Sequence, residues 1–106
     1  MALHITKSNF AKEVEQEKKP IVIDVYASWC GPCKLMEPIF EELDKELGAT
    51  YKFLKINVDE EREFSIKYGV TSVPTLLFIK NNNVVGREVG YLDKEALSKK
   101  IIQYLG

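Results

Sequence analysis

Pro20-Ile21-Val22-Ile23-Asp24-Val25-Tyr26-Ala27-Ser28-Trp29-Cys30-Gly31-Pro32-Cys33-Lys34 is the stretch on which the fold turns. Its first half, Ile21 to Ala27, is apolar without clean polar alternation, the pattern of a central strand covered on both faces. From Cys33 to Leu47 the pattern becomes helical, with Ile39, Leu43 and Leu47 spaced by four and Gly48 as the stop. Pro38 falls inside that helix and is expected to kink it. The only two cysteines of the chain therefore sit between a strand and a helix. The first thiol is expected at the helix N-terminus, where the dipole lowers a thiol pKa and favours the nucleophilic thiolate.

Working outward, Leu3 to Thr6 reads as a short first strand. A helix from about Ser8 to Glu17 follows, with Ser8 as N-cap and Phe10 and Val14 on one face. Tyr51 to Val58 is the third strand, with Leu54, Ile56 and Val58 on one side. A short helix spans about Glu60 to Tyr68, and the acidic run Asp59-Glu60-Glu61 decorates its start. Thr75 to Lys80 and Val84 to Val89 form a hairpin joined by Asn81-Asn82-Asn83. The last helix begins at about Lys94 with Asp93 as N-cap and a stripe of Leu97, Ile101, Tyr104 and Leu105. The order β-α-β-α-β-α-β-β-α implies parallel pairing early and an antiparallel hairpin late, hence a mixed sheet between helices.

At 106 residues the chain is expected to be one domain, residues 1–106, with a core that needs no staples. Fifteen basic and 16 acidic residues are interspersed and leave a net charge of −1, which argues against a nucleic-acid footprint or a membrane-attracted face. The N-terminus lacks the basic region and apolar run of a secretory signal, so a cytoplasmic location is expected. That compartment keeps thiols reduced, so the two cysteines are not expected to be structural stitching.

Other uses of Cys30 and Cys33 fit less well. A structural zinc site needs four ligands, and His4 is the only other soft donor. A c-type haem attachment needs His after the second Cys, where Lys34 stands. A structural disulfide closing so small a loop would contribute only about 2 kcal/mol. Thiol–disulfide exchange explains the spacing. The Cys30 thiolate attacks a partner disulfide, and Cys33, one turn further in and more buried, then attacks the Cys30 sulfur and releases the reduced partner. Pro32 suits a first helical turn, and Gly31 lets a partner backbone approach. His4, remote in sequence, has a surface or strand-edge role.

The constellation resembles the thioredoxin family over essentially the whole chain. Trp29-Cys30-Gly31-Pro32-Cys33-Lys34 is similar to its active-site motif. Asp24 stands six residues before the first Cys, Pro38 five after the second, and Lys55 lies on the next strand. Val73-Pro74-Thr75 is similar to the family's cis-proline loop, and Gly90 to a glycine beside the substrate groove. The resemblance implies an α/β thioredoxin fold, a central mixed sheet of about five strands flanked by about four helices. Tyr26, Glu37, Ser72 and Asn82 depart from common family residues, and none is expected to touch the chemistry.

The resemblance also implies roles. Asp24, whose pKa desolvation should raise, takes the proton from Cys33 during resolution, with Lys55 tuning it. Read alone, an Asp that reaches water or a backbone donor at a strand end is the better reading, and its place in the resemblance reverses that. Pro74 opens a strand, an ordinary place for proline; by resemblance it is cis and leaves Val73 backbone groups to pair with an extended segment of the partner. Trp29, read alone, could be core; beside the thiol it joins Gly31, Pro32, Val73 and Gly90 in an apolar contact surface. Gly31-Pro32 is the family's reductase-type dipeptide, with no His to stabilise the thiolate. The implied activity is protein-disulfide reduction by a monomer with no bound cofactor or metal beyond the redox-active Cys30–Cys33 disulfide. The implied partners are a flavin- and NADPH-dependent thioredoxin reductase and disulfide-containing targets such as ribonucleotide reductase, peroxiredoxin or methionine sulfoxide reductase. The alternatives are a dedicated donor to one enzyme, or an interaction module with incidental thiols.

Overall fold

A computed structural model describes residues 1–106. Five strands form one sheet in the order β1-β3-β2-β4-β5: β1 Leu3–His4, β2 Ile21–Tyr26, β3 Lys52–Asn57, β4 Thr75–Lys80 and β5 Asn83–Val89. β1, β3 and β2 run parallel, and β4 and β5 join antiparallel. The expected mixed sheet is therefore observed. β2 occupies its centre, and Ile21 to Val25 are all buried, as their unbroken apolar character requires.

Helices cover both faces. α1 Gly31–Leu47 and α3 Lys94–Leu105 enclose a core that includes Val22, Met36, Phe40, Phe53 and Phe78. A π-helical turn, Ala11–Glu15, and α2 Arg62–Lys67 cover the other face, over Ile23, Val25, Leu54, Ile56 and Leu77. None of these helices is long and apolar enough to cross a membrane. Strand alternation puts Asp24 and Lys55 on the α1 side, in line with Val22 and Phe53. They are paired across β2 and β3 and are two of only three buried polar residues, the third being Thr75.

Several boundaries differ from expectation. β1 ends at His4 rather than Thr6, because the Thr6 N–H turns to the Asn9 side chain at 2.8 Å. The cap expected of Ser8 is not made: the Ser8 hydroxyl pairs with that of Thr6, the turn has no side-chain cap, and Asn9 instead reaches back to the Thr6 N–H. The helix expected over Ser8–Glu17 contracts to the turn Ala11–Glu15. α1 starts two residues before Cys33, with Cys30 as N-cap, and its buried stripe is Cys33, Met36, Phe40 and Leu43. Ile39 and Leu47 only flank that stripe. α2 starts at Arg62, so the acidic run precedes the helix instead of opening it. The hairpin turns through Asn81 and Asn82, both at positive φ, and Asn83 already belongs to β5. Asp93 caps α3 as expected, accepting the Ala96 N–H at 2.8 Å.

Candidate active site

The sheet delivers the candidate residues to one end of the molecule. The chain leaves β2 at Tyr26 and enters α1 through Cys30, whose extended backbone turns the sulfur back over the first turn. That sulfur accepts the Cys33 N–H at 3.2 Å, one of the donors a helix start leaves without a backbone partner. Cys30 and Cys33 are joined as a disulfide with Cα atoms 5.2 Å apart. Both are buried, at 5% and 3% exposure, so burial scarcely distinguishes them. Their places on the helix do, since Cys30 is the cap and Cys33 lies inside.

The loop before β4 faces this pair. The Val73–Pro74 peptide is cis, as the resemblance implied, and the Val73 carbonyl oxygen lies 3.7 Å from the Cys30 sulfur. Neither the N–H nor the C=O of Val73 is taken up by a backbone hydrogen bond. The Pro74 carbonyl accepts the Gly90 N–H at 2.8 Å, which ties the loop to the chain leaving β5. Gly90 sits at φ +100°, a conformation that a side chain would strain. Trp29, Gly31 and Pro32 are exposed around the buried sulfurs, with Trp29 at 68%. A Cβ on Gly31 would meet no protein atom within 4 Å, so that side is open.

The Trp29 indole N–H donates to the Asp59 carboxylate at 2.9 Å. Asp59 is thus more than decoration of a helix start; its signal in the sequence is that an indole N–H at the edge of an apolar surface needs an acceptor. Two clefts flank the disulfide. One, of about 180 Å³, runs between Trp29, Val58, Val70 and Val73. The other, also about 180 Å³, is bounded by Tyr26, Ala27, Cys33, Lys34 and Glu37.

Behind the helix start lies a charged cluster. Asp24 is 1% exposed, and its Oδ1 is sealed from solvent with no hydrogen-bond partner. Burial pushes its carboxyl up to about 7, with Lys55 opposing and Glu37 and Glu41 adding to the rise. The Lys55 ammonium, 5% exposed, donates to Glu41 at 3.2 Å, stands 4.0 Å from Glu37 and lies 5.6 Å over the Tyr26 ring. Glu37, expected to stay clear of the chemistry, borders the Cys33 cleft and adds to the rise of the Asp24 carboxyl. His4 bonds the Tyr26 hydroxyl at 2.7 Å across the sheet edge. No cluster of three or more His, Cys, Asp or Glu side chains is arranged to hold a metal ion.

The arrangement is a closed dithiol pair at a helix start, an unpaired backbone edge beside it and a buried carboxyl behind it. Comparison with known proteins agrees. The thioredoxin family model matches residues 1–103. The chain is 44% identical over 100 residues to the thioredoxin of Bacillus subtilis (strain 168), covering 94% of each. It is 42% identical over 103 residues to that of Haemophilus influenzae (strain ATCC 51907 / DSM 11121 / KW20 / Rd), covering 97% of this chain and 96% of the relative. Identity to the thioredoxin of Rickettsia felis (strain ATCC VR-1525 / URRWXCal2) is 40% over 97 residues, with 92% of each covered.

Proposed function

The chain belongs to the thioredoxin family and is a dithiol–disulfide oxidoreductase, and from that premise we propose that it is a general protein-disulfide reductase. It receives electrons from a NADPH-dependent flavoprotein reductase and passes them to disulfide-containing proteins, acting as a cytoplasmic monomer of one unit, residues 1–106, with no bound cofactor. The observation that carries this reading is the Cys30 sulfur at the N-cap of α1, bonded to Cys33 and facing the free backbone of Val73.

In the reduced protein the Cys30 thiolate is stabilised by the Cys33 N–H and the positive end of α1. It attacks one sulfur of the target disulfide. The target S–S bond breaks, a mixed disulfide forms, and one target thiolate leaves. Asp24 then takes the proton from the Cys33 thiol. The Cys33 thiolate attacks the Cys30 sulfur, the mixed disulfide breaks and the second target thiolate leaves. Two electrons have moved from this chain to the target, and Cys30 and Cys33 are left as the disulfide seen here. The unpaired N–H and C=O of Val73 support a strand-like grip on the target segment, one that reads backbone rather than side chains. Trp29, Gly31, Pro32 and Gly90 supply the surrounding contact surface.

Reductase-coupled NADPH oxidation with a protein-disulfide substrate tests the reading. Turnover is expected to require both Cys30 and Cys33 and to be sustained with unrelated disulfide proteins. Turnover with none of them would overturn the reading, and turnover with a single partner would replace it with a dedicated donor.

A further inference from the structure

Asp24 and Lys55 are register partners on adjacent strands, buried on the same side of the sheet. Buried opposite charges that close normally pair with each other, because leaving either unpaired is costly. Here they do not. The Asp24 Oδ1 has no partner, while the Lys55 ammonium reaches to α1, at 3.2 Å from Glu41 and 4.0 Å from Glu37. Glu37 and Glu41 lie four residues apart, one turn of helix, where like charges repel unless a cation sits between them. Lys55 is that cation. Glu41 is held in turn by the Ala2 N–H at 2.6 Å, so the N-terminal strand fixes one side of the arrangement.

We propose that Glu37 and Glu41 are positioning residues that clamp Lys55 against α1 and so leave the Asp24 carboxyl without a salt bridge, able to hold a proton until Cys33 exchanges one with it. The clamp rests on the reading of Asp24 as the proton partner of Cys33, and it explains why that carboxyl is not locked as a carboxylate. Held by two carboxylates, Lys55 opposes the rise at Asp24 through space without forming an ion pair with it. The other groups around Asp24 do not substitute for it. Its register partner on β4 is the apolar Leu76, and the Tyr26 hydroxyl two residues along β2 is engaged by His4. Burial alone already favours the protonated form, and the two α1 carboxylates add to it.

A ¹³C NMR titration of the Asp24 carboxyl in oxidised and reduced protein provides the test. In the Glu37→Gln/Glu41→Gln double variant the ammonium is free to turn to Asp24, and the midpoint is expected to fall by about one pH unit, at the low end for a nearby opposite charge. Glu37→Gln alone, at a half-exposed surface position, should move it less in the same direction. In a Lys55→Gln background the same double substitution should move the midpoint less than half as far. An unchanged or higher midpoint would overturn the clamp. An equal fall without Lys55 would also overturn it, by assigning the effect to direct repulsion. Stopped-flow resolution kinetics on Asp24→Asn separate this from the reading beneath it. If that variant keeps the wild-type pH profile while the midpoint still falls in the double variant, Asp24 loses its proton-transfer role and the clamp stands.

Discussion

At the residue scale, Asp24 concentrates the chemistry. Its apolar neighbours Val22, Ile23 and Val25 hinted at desolvation, but only the resemblance outweighed a strand-end Asp reaching water; it proves buried, with its titration pushed up to about 7. Asp24→Asn is expected to slow resolution of the mixed disulfide on the order of 100-fold, the lower end of general acid–base contributions. The first attack by Cys30 should change little. The wild-type resolution rate should rise with pH through about 7, where Asp24 becomes the carboxylate that accepts the Cys33 proton. The variant should lose that rise; equal slowing of both steps would contradict the assignment. The contacts of Asp59 and Glu37 were not legible. Asp59 meets the Trp29 indole across 30 positions of sequence, and Glu37 meets Lys55 only because α1 lies across β3. No local pattern encodes such meetings.

At the element scale, legibility followed length and burial. β2, α1 and α3 carry long, strongly biased patterns and form where expected, although α1 buries Met36 and Phe40 where its pattern pointed to Ile39 and Leu47. The segment after β1 does not: Ser8 is a competent cap, but its hydroxyl turns back to Thr6, and the helix shrinks to one uncapped turn. Two substitutions test how elements are held. Asp93→Ala removes the cap of α3 and should cost about 1 kcal/mol in denaturant unfolding. At Gly86, on β5, an added Cβ would strike the Tyr104 ring of α3. Gly86→Ala should therefore cost roughly 1–3 kcal/mol, a typical overpacking penalty. In a Tyr104→Ala background the same substitution should cost much less, and an undiminished cost in that background would refute the collision.

At the scale of the whole molecule, burying Asp24 sets a pH dependence of stability. Its carboxyl titrates near 3.8 when unfolded and at about 7 when folded, so between these values the folded chain binds more protons. Stability contributed by this group is full below the lower value and is lost as pH rises toward the upper one. The conversion of about 1.4 kcal/mol per pH unit makes the loss roughly 4 kcal/mol. Asp24→Asn should thus be the more stable protein at pH 8, with the gap closing toward pH 4; parallel curves would refute it. The topology was legible because apolar runs and turns fixed the order of elements, whereas the spatial union of Cys30 with Val73 and of Pro74 with Gly90 comes only from closing the sheet. The central claim is that this union makes a directional exchange in which Cys30 attacks and Cys33 resolves. The most direct measurement is intact-mass analysis of the Cys33→Ser and Cys30→Ser variants after incubation with a protein disulfide. The account predicts a covalent mixed disulfide accumulating on Cys30 in the Cys33→Ser chain and none in the Cys30→Ser chain. Adducts on both variants alike, or on neither, would contradict it.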